Sequence, residues 1–321
     1  MNTDQSDNSW YQTPIDRATM KPLMRRTDKH GIIYFTGFLA IVVICGFLAH
    51  LSIGSYWSIP AFLLYGGIWV FATSVVHETC HGTPFHTRWL NETVLFISGL
   101  MVQQLPTGLR WTHARHHSET AIVSKDVEVV LTNPLSWGAF IFYQLSDAKS
   151  IWYYFSRVVM FSFGKLDAEH KATVPKSEAG RVYWEARAFL TVYVSIVLWS
   201  VVTASWWPVL IFLFPRIAGA PTHGVMLATQ HIGFAQNIRD HRKTTRTMTL
   251  NPLLCFIYWN MNYHVEHHMF PRVPFHALPD LHEAIKHDTP PPTKGVFAAL
   301  GEIYQTINRQ KSNPEFSYPV D

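Results

Sequence analysis

Residues 77–81 read His77-Glu78-Thr79-Cys80-His81. Two histidines four apart share a helix face, and with the glutamate after the first they fit the HExxH pattern of zinc hydrolases, in which the glutamate is the general base. Five residues do not distinguish that chemistry from a larger imidazole-rich metal site. The chain holds eighteen histidines, and six more of them fall in two further five-residue windows: His113, His116 and His117 in HARHH, and His264, His267 and His268 in HVEHH. Spacings of three and four aim the imidazoles of each window to one side of a helix. Imidazole suits Zn, Cu, Fe and Ni. Eight such nitrogens exceed what one tetrahedral zinc takes, and suit two metals with four or five each.

A zinc hydrolase uses two histidines, a third protein ligand and an open position for water. Two additional histidine windows have no place in it, and no Asp-Gly element near the last apolar runs offers a third ligand. An intramembrane zinc protease is therefore the remote alternative. Cys45, Cys80 and Cys255 are far apart and form no CxxC pair, which excludes a zinc ribbon, a rubredoxin-like iron site and a disulfide framework. Cys80 lies inside the first window but reads as a small packing residue.

The elements that position these windows are apolar. Of 321 residues 48% are hydrophobic and only 15% charged, against about 25% in ordinary soluble proteins. Twelve Trp and thirteen Tyr suit rings at a water–lipid boundary. A net charge of +4 argues for no nucleic-acid partner. Gly31–Ile53 and Tyr56–Val76 carry no Asp, Glu, Lys or Arg, and each is long enough to cross a bilayer, which takes about 20 residues. The turn at Gly54-Ser55 makes them a hairpin. Arg17, Lys21, Arg25, Arg26 and Lys29 precede it, so both ends are expected on the cytoplasmic side, with the first window where the second span emerges. Runs around 134–145 and 151–163 are too short to span and read as interfacial or core helices. A second hairpin is expected from the uncharged run Ala188–Phe214 onward, turning near Ser205-Trp206, with Arg216 as a costly charge in its last span. The expected fold is all-α and integral to the membrane: about four transmembrane helices in two hairpins, with a cytoplasmic helical cap. Residues 1–30 form a polar N-terminal segment, in place of an ordinary cleaved signal peptide. Residues 31–288 form the membrane domain, and 289–321 a cytoplasmic tail with one helix near 296–309.

Three histidine windows in the order HxxxH, HxxHH and HxxHH, placed after the second span, later in the same loop and after the fourth span, resemble those of the membrane fatty acid desaturase/hydroxylase superfamily. The resemblance covers about residues 31–285 and extends past the windows, through HETCHGTPFHTRWLN (77–91), WTHARHHSET (111–120) and NYHVEHHMFPRVPFHALPDLHEAI (262–285). It implies a di-iron centre held by the eight window histidines. It also implies an extra ligand between the second and third windows, which His231 in ATQHIGF supplies; His86 and His223 are the substitutes. His30, His50, His170, His241, His276, His282 and His287 lack comparable spacing and read as ordinary residues.

The C–H bonds of a lipid-like substrate offer neither acidity nor a leaving group. Their oxidation calls for a metal-bound oxidant made from O2 with two electrons from an external donor, and the resemblance implies that two Fe ions carry it. No haem-binding or CxxC segment provides those electrons, which implies a separate ferredoxin, rubredoxin or cytochrome b5 with its reductase. Arg110, Arg115, Lys125, Arg239, Arg242, Lys243 and Arg246 are candidates for its docking surface, or equally for contact with anionic headgroups. Carboxylates that receive the far N–H of a metal-binding imidazole fix its orientation; Glu78, Asp126, Asp240 and Glu266 are the candidates by position. Fatty acyl desaturation is the leading expectation. His264 opens the third window where front-end desaturases often carry Gln, which argues against that subclass. Hydroxylation of an alkyl chain, a carotenoid or a smaller molecule is the alternative on the same scaffold.

Overall fold

The computed structural model describes residues 9–128 and 131–320. The first eight residues of the expected N-terminal segment, and Asp321 of the tail, lie outside them. The regular elements among the described residues are helices, apart from isolated bridges that pair Thr247 with Tyr263 and Met248 with Thr293.

The first uncharged run forms α1 (Asp28–Ser52), which starts at Thr27, whose hydroxyl accepts the N–H of His30. Its 25 residues, at about 1.5 Å each, exceed the roughly 30 Å of a bilayer core. A turn at Gly54, where a φ of +85° calls for glycine, leads into α2 (Ser58–Trp69) and α3 (Ala72–Cys80). These two run on as one 23-residue apolar rod that ends on the first histidine window. Helix α4 (Arg88–Val102) packs along α3, and α5 (Pro106–Glu119) carries the second window. After a π-helical turn over Phe140–Leu145 come α6 (Ala148–Ser162) and the long apolar α7 (Ala179–Val202).

The expected fourth span is where the structure departs from the reading. The chain turns over residues 203–206, as anticipated, but the return is split into α8 (Trp207–Phe212), α9 (Phe214–Ala218) and α10 (Ala220–His231). Pro208, Pro215 and Pro221 each sit in the first turn of one of these segments. Proline has no N–H to give and clashes with the preceding turn, so each one restarts a helix that it cannot continue. Among the described residues three helices, not four, are continuous and apolar enough to cross a membrane. Arg216, the misplaced charge, is buried and lies 2.7 Å from the equally buried Asp147. The broken segment packs tightly on α2: a Cβ on Gly219 would stand 2.0 Å from the carbonyl oxygen of Gly66.

The third window lies on α11 (His264–Met269), followed by α12 (Leu278–Ile285) and α13 (Gly295–Gln310), the helix expected in the tail. Both flanking segments lie against the central body. Trp10 stacks on His241 with ring centres 4.1 Å apart, and Tyr11 and Thr13 donate to Asp288. Ile303 and Ile307 of α13 share a core with Ala228 and Ile232. Val43, Ile44, Phe47 and Leu51 of α1 and Val197, Leu198, Val201 and Val202 of α7 point outward. An apolar exterior of that extent is the mark of a surface that meets lipid.

Candidate metal centre

The ends of α3, α5, α10 and α11 meet, and nine histidines turn their Nε2 edges inward in two adjacent sets. The first set is His77, His81, His113, His117 and His267. His113 Nε2 lies 3.1 Å from the Nε2 of His77, 3.1 Å from that of His81 and 3.0 Å from that of His117. His267 Nε2 lies 2.8 Å from His77 and 3.2 Å from His117. The second set is His116, His231 and His268, joined by His264, whose Nε2 lies 3.1 Å from His231 and 3.2 Å from His268.

These contacts cannot all be hydrogen bonds. An imidazole nitrogen carries one proton or one lone pair, so His113 Nε2 satisfies at most one of its three neighbours. A shared cation satisfies all of them: nitrogens bound at about 2.1 Å and at right angles to one metal stand about 3 Å apart. Burial first, and then the neighbouring imidazoles, push His117, His264 and His268 well below the usual imidazole pKa. They are therefore neutral and offer lone pairs. Cys80, the one cysteine in a window, directs its thiol to the carbonyl of His77 at 2.8 Å and away from the nitrogens. A donor set of imidazole alone, five in one group and four in the other, fits two metals of high coordination number better than tetrahedral zinc.

What fixes the rings is the far nitrogen. His113 Nδ1 meets Glu128 at 2.9 Å, and His116 Nδ1 meets Asp126 at 2.9 Å. His231 Nδ1 donates to the carbonyl of Thr244 at 3.1 Å, and His268 Nδ1 pairs with the hydroxyl of Thr120 at 3.1 Å. Glu78 Oε1 is 3.0 Å from His267 Nδ1, off the ideal hydrogen-bonding line, with both groups fully buried. An Nδ1–H held outward leaves the Nε2 lone pair facing in. Burial opposes the charge of Asp126, yet His116 and two backbone N–H groups hold its pKa down to about 2. In return the carboxylate outweighs burial at His116 and raises its proton affinity.

The structure thus brings His231 together with all eight window histidines, and sets Glu78 and Asp126 beside them. It places the other two carboxylate candidates elsewhere. Asp240 caps a short helix through the N–H of Arg242 and pairs with that residue's guanidinium at 2.8 Å. Glu266 accepts from Thr247 and from His282 Nδ1, both at 2.5 Å. Glu128 was missed, although it lies two residues past Asp126 in the same loop. Of the histidines read as ordinary, His282 anchors Glu266, and His241 is buried with its ring 5.2 Å from that of His268. His86 is exposed, and His223 bonds Asp147. Among the basic candidates for docking, Arg246 is buried against Glu302, whereas Lys125 and Lys243 are exposed.

A cavity of about 100 Å³ adjoins both sets, lined by His77, His113, His116 and His231 together with Gln104, Glu128, Gln144 and Gln230. It shares Gln104, Leu109, Glu128 and Tyr154 with a cavity of about 200 Å³ that reaches toward Lys149 and Arg157.

The chain is 21% identical over 282 residues to the Delta(6)-fatty-acid desaturase fat-3 of Caenorhabditis elegans, covering 78% of this chain and 62% of that one. It is also 21% identical over 277 residues to the Delta(5) fatty acid desaturase fat-4 of the same organism, with the same coverage. The chain spans about three-fifths of the length of these curated relatives. The family model described as Fatty acid desaturase matches residues 54–298, which include all nine clustered histidines. With three quarters of its length matched, this membrane-helical chain belongs to the fatty acid desaturase family, a family of oxidoreductases.

Proposed function

We propose that the protein catalyses the O2-dependent oxidation of unactivated C–H bonds in a lipid-like substrate, with fatty acyl desaturation as the reaction. The observation that carries this is the convergence of nine Nε2 atoms in two adjacent sets within a member of this family. In this reading His77, His81, His113, His117 and His267 hold one iron, and His116, His231, His264 and His268 hold the other. Iron bound there would supply the redox chemistry: O2 takes two hydrogens from adjacent carbons, two electrons from the outside donor and two protons from solvent, and leaves as two waters. The chain's own part is positional. Glu78, Asp126 and Glu128 receive Nδ1–H groups and keep Nε2 aimed inward. The buried cavity beside both sets admits one stretch of substrate and keeps bulk water away.

The electron donor is a separate ferredoxin, rubredoxin or cytochrome b5 with its reductase, and Lys125 and Lys243 lie on the face where it docks. The broken segment α8–α10 acts with α7 as the second hairpin, so that four spans place the centre and its helical cap at the cytoplasmic face. Residues 31–288 are the catalytic membrane domain, flanked by the segments 1–30 and 289–321. Hydroxylation is the second reading, favoured by Gln104, Gln144 and Gln230 beside the centre, which are polar enough to hold an alcohol product.

The test is the iron content of purified protein together with product analysis. About two irons per chain, and a product that requires both O2 and a reduced donor, are expected. One stoichiometric zinc without iron, or product formed anaerobically without reductant, overturns the reading.

A further inference from the structure

A second polar cluster lies beside the metal centre and takes no part in it. Asp147, at the head of α6, is 1% exposed and adopts a left-handed φ of 52°. One of its carboxylate oxygens, Oδ2, lies 2.7 Å from Arg216 Nη1 and 2.7 Å from His223 Nδ1. All three side chains are buried in the region that returns through the apolar body. Ionised groups in such a place cost several kcal/mol each to desolvate, and by default they mark function. Packing alone would be served as well by apolar residues of the same size.

Three nitrogens of the cluster are buried without a hydrogen-bond partner, Arg216 Nε and Nη1 and His223 Nε2, and of the two residues only His223 lines the cavity beside the metal centre. His223 is 4% exposed, its Nδ1–H is held by Asp147, and its Nε2 has no partner. A buried imidazole nitrogen left in that state forfeits a hydrogen bond, unless something that enters the site completes it. The ring lines the cavity that adjoins both histidine sets, and also a smaller one of about 30 Å³ bounded by His77, Met226 and Tyr258. Thr73 lines both cavities as well, and its hydroxyl is likewise buried without a partner.

We infer that His223 is a specificity residue whose Nε2 accepts a hydrogen bond from a hydroxyl group on the substrate, next to the carbon that is oxidised. With its Nδ1 proton fixed on Asp147, His223 offers a lone pair and calls for a donor. The donor is neutral, because the charge of Asp147 is already matched by Arg216 and would not compensate a second cation. Thr73 provides a second contact for the same oxygen. The preferred substrate is thus an amphiphile with a hydroxyl near the reacting position, in place of a plain hydrocarbon stretch. The inference rests on the oxidation reading for which carbon reacts, but binding at His223 stands apart from it.

The experiment compares 1-octanol with octane on the iron-loaded protein in lipid nanodiscs, reading Kd from the ligand-induced shift in Tm. Wild type is expected to favour the alcohol over the alkane about tenfold more than His223→Leu does, the value of one hydrogen bond to a buried acceptor. Taking the ratio between the two proteins cancels the unequal partitioning of the probes into lipid. His223→Gln can donate to Asp147 and still accept from a ligand, so it should keep most of the preference. A purely structural role for His223 would lower the Tm of the free variants without changing that ratio. Equal ratios in wild type and His223→Leu overturn the inference. Product analysis on the same samples, supplied with O2 and a reduced donor, separates it from the proposed function. Alcohol preference without O2-dependent product leaves the site standing and sinks the oxidation reading. Equal oxidation of both probes by wild type and His223→Leu does the reverse.

Discussion

The two histidine sets share the second and third sequence windows but are built in different ways. The set of five draws on all three windows, with His77 and His81, His113 and His117, and the single His267. The set of four takes His264 and His268 from the third window, His116 from the second, and His231 from outside any window. Every pair spaced i,i+4 stays within one set, and each histidine just before the second of a pair crosses to the other. Neighbours such as His116 and His117 diverge by about 100° around a helix, so a doubled histidine faces two centres at once. The outer partners differ as well. Two carboxylates, Glu78 and Glu128, back the set of five, whereas the set of four has one carboxylate, Asp126, plus a carbonyl and a hydroxyl. Removing one nitrogen leaves four in the first set and three in the second, so the sets should not respond alike to the same substitution.

The largest effect separates them directly. On the proposed two-iron reading, His267→Ala and His231→Ala should each abolish turnover. Their iron content should differ: His231→Ala falls toward one iron per chain, while His267→Ala retains more. Elemental analysis of the purified variants reads this, and equal retention in both would dissolve the distinction between the sets.

Next in size are the carboxylates. Glu128→Gln and Asp126→Asn should each lower activity or iron affinity about 10–100-fold, the usual cost of losing a partner behind a metal-binding imidazole. Asp126→Asn should weigh more, because the set of four has no second carboxylate to compensate. Glu78→Gln belongs in the same range. A peptide-hydrolysing activity in the wild type that Glu78→Gln abolishes at full metal content would instead restore Glu78 as a general base.

Part of this arrangement was legible before any coordinates. Helical spacing alone exposed the three windows, because side chains three and four apart must share a face. The apolar runs announced α1, the α2–α3 rod and α7. Partners that arrive from far along the chain were illegible: Glu128 for His113, Thr244 for His231, and Asp147 for Arg216, sixty-nine residues apart. The break in the fourth span was written in Pro208, Pro215 and Pro221, but composition averaged over the run concealed it. Adjacency in sequence misled at Glu266, which lies two residues after His264 and one before His267 and so faces away from both.

The position of Glu266, facing away from the rings, makes a sharp test. Glu266 is fully buried and holds Thr247 and His282. Glu266→Ala leaves both without their acceptor, at a cost of about 1–3 kcal/mol. The Tm of the purified protein should fall, with iron per folded chain unchanged. Asp240→Asn disturbs a more exposed pair with Arg242 and should lower Tm less. Iron loss in either variant, at unchanged Tm, would return the residue to the metal centre.

The smallest effect is expected in the middle of the first window. Cys80 lies between two ligating positions in sequence, and a thiolate there would change the metal that the set of five prefers. Its thiol instead donates to the carbonyl of His77. A serine hydroxyl can make the same bond, so Cys80→Ser should leave iron content, activity and Tm nearly unchanged. A shift in the metal-to-ligand absorption of the loaded protein would show that sulfur touches the metal, and the set of five would no longer be purely imidazole. An unchanged spectrum keeps the contrast between the sets where the geometry puts it, in nitrogen count and in the groups behind the rings.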